Sequence, residues 1–152
     1  MNPDNTMLLR VVTPGGAILE EPTVSVVLWT ALGEIEVLYG HAPIVVLLEP
    51  GEMRVRSAAG VERAFAAGEG FAEIDQKSVT VFSDMAEAAE GIELHQAEEA
   101  KSRAQEAVAA AANLSPDERN AADLALRESL VRIQMTLRRK GGTQRRAPAP
   151  IE

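Results

Sequence analysis

At 152 residues, 46% of them apolar, the chain has enough material for one medium core or for a small core with an appendage, and 3% aromatics exclude a large ligand-stacking cavity. The absence of cysteine excludes disulfides, thiolate metal sites and thiol nucleophiles and fits a reducing compartment; with only His41 and His95 as imidazoles, no metal site is expected. The net charge of −8 is uneven, because residues 1–124 carry 8 Lys/Arg against 21 Asp/Glu (net −13) while 125–152 carry 7 against 2 (net +5), which places a basic arm on an acidic body.

In chain order, Met7 to Thr13 reads as a strand, and Pro14-Gly15-Gly16 turns it into Ala17 to Glu20. Thr23 to Thr30 is apolar and β-branched enough for a strand buried on both faces, and Ile35 to Leu38 and Ile44 to Leu48 follow around a loop that contains Gly40. Glu52 to Ser57, Val61 to Ala66, Phe71 to Asp75 and Ser78 to Asp84 complete about nine short strands, separated by Pro50-Gly51, Ala59-Gly60 and Gly68 to Gly70. Near Ala86 the spacing changes from the alternation of Val79-Thr80-Val81 to the three-and-four steps of Leu126, Leu130, Ile133 and Leu137. Ala88 to Ala112 reads as a first helix. Ser115-Pro116-Asp117-Glu118 is a capping box with proline in first position, opening a second helix from about Pro116 to Lys140 that stops at Gly141-Gly142.

The expected fold is therefore α+β: an antiparallel β-sandwich over 1–86, an antiparallel helical hairpin over 87–140 and a disordered basic, proline-containing tail over 141–152. The longest apolar run, Ile44 to Leu48, is too short to cross a bilayer, and the first residues lack the features of a secretory signal. Burying each large residue of the second helix gains about 1.5–3 kcal/mol, while ordering each backbone residue costs about 1–2 kcal/mol. The facing helix offers mostly methyl groups, so the hairpin is expected to need a docking surface and to be able to exchange one for another.

Gly33-Glu34-Ile35-Glu36-Val37-Leu38-Tyr39-Gly40-His41-Ala42-Pro43, followed by Leu48-Glu49-Pro50-Gly51, resembles the loop-and-strand signature of the ε subunit of F-type ATP synthases. That signature reads Gly-Glu-Leu-Gly-x-x-Pro-Gly-His-x-Pro with Lys-Pro-Gly shortly after. Leu9-Arg10-Val11-Val12, Gly70-Phe71-Ala72-Glu73-Ile74 and Val79-Thr80-Val81 echo further family segments, so the match runs in order over roughly Met7 to Lys140. Departures are Glu36 for a glycine, Tyr39 for a proline and Glu69-Gly70 for a glycine pair.

The resemblance implies a rotor and regulatory subunit without catalytic residues. Its sandwich would sit at the foot of the central stalk against γ and the c-ring, and its mobile hairpin would rise toward the α and β subunits to inhibit ATP hydrolysis. It implies ring contact through Gly33, Glu34, Gly40 and His41, and contact with the catalytic head through Arg127, Arg132, Arg138 and Arg139. Some relatives bind ATP through a motif whose positions fall on Ile92, Glu93, Ala97 and Arg103, but Gln96 replaces the motif arginine, so no cofactor is assigned. The location implied is cytoplasmic, peripheral on the inner face of the plasma membrane through the complex.

Competing readings are weaker. His41 near Glu34 and Glu36 has no nucleophile or oxyanion loop beside it, so it reads as a structural or interface histidine rather than a base. Glu52-Met53-Arg54 stands where a carrier hairpin would need a lysine, and arginine cannot form that amide. Nucleic acid binding by the Arg138 to Arg146 cluster conflicts with the acidic body and the scarcity of stacking aromatics. The alternative to a rotor subunit is a free-standing β-sandwich adaptor whose basic helix recruits an acidic protein.

Overall fold

Apolar and polar side chains, alternating in most strands, carry the described residues before Gly91 into nine strands: β1 (Met7–Thr13), β2 (Gly16–Thr30), β3 (Gly33–Leu38), β4 (Ile44–Leu48), β5 (Gly51–Ser57), β6 (Glu62–Ala67), β7 (Gly70–Ile74), β8 (Ser78–Ser83) and β9 (Ala86–Ala88). The computed structural model describes residues 5–143, so the expected tail from residue 144 onward lies outside the described residues. The chain divides into two compact units between Gly91 and Ile92.

In the first unit the strand order is β1-β8-β7-β4-β2-β5-β6-β9, with β3 also on β2 and with β1 returning to pair the first half of β2. All pairings are antiparallel except β1 with β8, where Leu8 to Val12 lie parallel to Ser78 to Phe82. β2 links both layers: its first half pairs β1, and its second half lies between β3 and β5. Between the layers lies a core that includes Met7, Leu9, Val11, Val26, Leu28, Val37, Met53, Val55, Ile74, Val79 and Val81.

Two boundaries depart from the sequence expectation. Ala17–Glu20 and Thr23–Thr30 are one strand, because Pro22 falls where β2 changes partner: it lies opposite Leu8, and its carbonyl accepts from Ala58 N at 3.4 Å. A register shift between Thr23 and Ser25 absorbs the change, a place where a strand tolerates the missing proline donor. At the other end, Ala86–Ala88 extends the sheet against β6 instead of opening a helix, since ladder pairing outweighs alanine's helical preference. The first helix is shorter than expected: α1 spans Leu94–Ala109, with 3-10 turns at Ala89–Gly91 and Ala111–Asn113.

The second unit pairs α1 with α2 (Pro116–Thr143). The capping box forms as expected. Ser115 N donates to Glu118 Oε2 at 2.8 Å, and Glu118 N donates to Ser115 Oγ at 3.3 Å. α2 continues through Gly141 and Gly142, because glycine costs about 1 kcal/mol in a helix without forbidding it, and the next proline is Pro148.

The buried face of α2 differs from the one expected. Leu130 and Leu137 are exposed, while Ala122, Ser129, Met135 and Thr136 are buried and Leu126 and Ile133 half-buried. Ser129 Oγ donates to Ala125 O at 2.7 Å and Thr136 Oγ1 to Arg132 O at 2.9 Å, so both hydroxyls are satisfied within their own helix. On α1 the buried residues are Ala97 and Ala104, so the seven-residue step recurs on both helices as in a tight two-helix seam.

Candidate functional site

The β2–β3 hairpin closes through Ala31-Leu32 into Gly33, whose φ of +112° glycine adopts without strain. Thr30 fixes this turn by donating from Oγ1 to Gly33 O at 2.7 Å and accepting from Leu32 N at 3.2 Å. Leu32 is left 100% exposed at the tip. Beside it, Glu34 Oε1 accepts from Arg54 Nη2 at 2.9 Å, and Glu52 lies 3.8 Å from the same guanidinium. That hydrogen bond to Glu34, with the nearby carboxylates, raises the Arg54 pKa above the ordinary arginine value against the opposing effect of partial burial.

Gly40 and His41 occupy a different place. Gly40, at φ +85°, donates its N–H to Gln76 O at 2.8 Å, while His41 N donates to Leu38 O at 3.1 Å and His41 Nδ1 lies 2.7 Å from Ala42 O. Gly33 and Glu34 open β3 and Gly40 follows its end at Leu38, so about 13 Å of extended strand separates the two pairs. The four residues expected to face one partner thus lie at the two ends of β3.

The four arginines of α2 are also divided. Arg127 and Arg138 are eleven residues apart and share a face, as do Arg132 and Arg139 at a spacing of seven, and the two faces are separated by about 120° at 100° per residue. Arg138 and Arg139 are exposed, and Arg127 and Arg132 are half-buried. The positions considered for nucleotide are scattered as well. Ile92 and Ala97 are buried, Ile92 and Glu93 precede α1, and Glu93 and Arg103 are exposed about 15 Å apart along the helix direction.

One surface feature escaped the sequence reading. On the outer face of β1, β8, β7 and β4, register aligns Val12 with Phe82, Phe82 with Phe71, and Phe71 with Leu47. Phe71 and Phe82 stack with ring centroids 4.8 Å apart; Leu47 is 71% exposed, and Val45, next to it on the same face, 63%. An apolar row across four strands is more than scattered exposure and marks a surface built for contact. The available signal was Ile44-Val45-Val46-Leu47-Leu48, apolar at every position, since a strand between core and solvent should alternate.

Comparison with known proteins places these features in context. Residues 6–89 match the family described as ATP synthase, Delta/Epsilon chain, beta-sandwich domain. Over 128 residues the chain is 38% identical to an ATP synthase epsilon chain of Desulfitobacterium hafniense, covering 84% of this chain and 94% of that protein. In fold it is similar to a chain in the Euglena gracilis mitochondrial ATP synthase OSCP/F1/c-ring structure, with TM-score 0.69, 23% identity and coverage of 83% of this chain and 78% of that one. A chain in the central stalk/c-ring structure of the Tetrahymena thermophila mitochondrial ATP synthase is similar in fold too, with TM-score 0.58, 15% identity and coverage of 86% and 96%.

Proposed function

The chain belongs to the family of ATP synthase epsilon chains, and from that premise we propose that it is a non-catalytic rotor subunit of the central stalk, joining γ to the c-ring. The observation that carries this reading is the surface row Val12–Phe82–Phe71–Leu47, with Phe71 and Leu47 exposed and Val12 and Phe82 half-buried, an apolar face on an acidic protein that is suited to permanent burial against γ. The relatives' names and the F1/c-ring assemblies in which its fold neighbours occur support γ, the c-ring and the α and β subunits as partners.

Contact with the ring is assigned to the β2–β3 turn, with Gly33 and Glu34 joined by the exposed Leu32. Gly40 and His41, at the far end of β3, are left for a separate contact within the rotor. Attachment at the membrane is peripheral through the complex, on its cytoplasmic side; among the described residues no helix is long and apolar enough to cross a membrane. The helical hairpin is assigned the regulatory part. Its buried residues are alanines and hydroxyls with Met135 as a large apolar side chain among the described residues, a modest apolar area that leaves its alternative positions close in free energy, and its basic second helix suits acidic segments of the catalytic head.

Co-purification tests the reading. Tagged wild-type chain is expected to bring down γ with the α and β subunits from detergent-solubilised membranes, and Leu47→Asp is expected to lose them while remaining folded. Recovery of an acidic protein without ATP synthase subunits would favour the adaptor.

A further inference from the structure

The apolar row ends in an open cleft of about 480 Å³, lined by Val12, Pro14, Phe71 and Phe82, with Glu69 and Asp84 at its rim. Two loops form it and are tied together by Asp84 N donating to Glu69 O at 3.1 Å. Gly70 lets them approach, since a Cβ there would lie 1.9 Å from Phe82 O. Both carboxylates are exposed, and neither has a cationic side-chain partner among the described residues.

An aromatic floor under two carboxylates suits one kind of occupant. A lysine or arginine lays its aliphatic stem on apolar surface while its head stays near water, gains from an aromatic face, and here meets two acceptors. A neutral aliphatic anchor would fill the floor but would leave both carboxylates partly desolvated without compensation. Resting on the reading that γ covers the apolar row, we infer that γ presents a lysine or arginine to this cleft, held between Glu69 and Asp84 over the Phe71–Phe82 stack. The apolar row supplies the contact area, and the cleft sets register and speeds encounter, because a rim charge acts mainly on association and its salt dependence.

The test titrates full-length chain against F1 stripped of this subunit, comparing wild type, the double variant Glu69→Gln/Asp84→Asn, and Leu47→Asp, each checked for folding by circular dichroism. The double variant is expected to bind about tenfold more weakly than wild type at low salt, the gap closing as salt rises toward about 1 M, where screening is nearly complete. Wild-type affinity and salt dependence in the double variant, with Leu47→Asp still impaired, would overturn the cation cleft and leave γ docking intact. Wild-type affinity in Leu47→Asp as well would overturn both.

Discussion

Arg54 donates from Nη2 to Glu34 Oε1 at 2.9 Å, tying β5 to β3 across the intervening β2. The residue expected to face the ring is therefore held on the sheet by a cation two strands away. Because the Arg54 side chain is 39% exposed and that of Glu34 47%, the pair is expected to contribute about 0.5–1 kcal/mol, measured as the coupling in a double-mutant cycle of Arg54→Ala and Glu34→Gln by urea unfolding. Zero coupling would mean that solvent screens the pair completely and that Glu34 is free to turn toward a partner.

Gly70 and Gly51 are constrained by contact. A Cβ on Gly51 would lie 2.5 Å from both Trp29 Cβ and Cγ, the root of a side chain that a rotamer change cannot move away, and one on Gly70 would lie 1.9 Å from the Phe82 carbonyl oxygen of the sheet backbone. Both Gly70→Ala and Gly51→Ala are therefore expected to be costly in denaturant unfolding, about 3 kcal/mol or more for Gly70→Ala, where the overlap is deeper. The sole tryptophan supplies a second readout, since Gly51→Ala should shift the emission of the displaced Trp29 indole and Gly70→Ala should not.

Glu118 gives the helical unit a pH dependence. The Ser115 backbone N–H and then its hydroxyl hydrogen-bond the carboxylate, which lowers its pKa in the folded state below the ordinary glutamate value. The capping contribution is therefore fully present above the unfolded glutamate pKa, near about 4.3, and is lost as pH falls through the lower folded value. Helical circular dichroism should weaken on acidification below about pH 4 in wild type. Glu118→Gln should remove the part of that loss that belongs to the cap.

The hairpin seam predicts an inversion of the usual rule. Ser129→Leu is expected to destabilise the helical unit by about 1–3 kcal/mol through overpacking, although leucine is the better helix former. Leu130→Ser and Leu137→Ser, on the exposed side, should cost less than Ser129→Leu. The reverse ranking, read from helical thermal unfolding, would show that the leucines carry the packing.

Strand positions were legible where alternation is clean, as in Ser78 to Ser83, and so was the start of α2, because Ser115 and Glu118 state the cap in four residues. β9 was not legible: its three residues alternate nothing and exist only because β6 offers a ladder edge. The seam was misread because hydrophobicity ranks Leu130 and Leu137 above Ser129 and Thr136, while the buried positions are Ala122, Met135 and two hydroxyl residues that bond their own helix. The resemblance named Glu34 and His41 together, and only the fold separates them to opposite ends of β3. The apolar row was hidden because Val12, Leu47, Phe71 and Phe82 become neighbours only through register between strands far apart in sequence.

The arginines of α2 give the last prediction. If the basic arm brakes hydrolysis, Arg132→Ala/Arg138→Ala/Arg139→Ala should raise the ATPase rate of the assembled enzyme while γ and the catalytic subunits still co-purify, because the sandwich holds the rotor. The division of the arginines sharpens the test. Arg127 with Arg138 and Arg132 with Arg139 define faces about 120° apart, so a helix laid against one acidic surface engages one pair more than the other. Substituting the pairs separately should release hydrolysis strongly in one case and weakly in the other. Equal, additive release would point to a diffuse charge effect without a docked face, and no release from the triple substitution would show that the arm does not brake this enzyme.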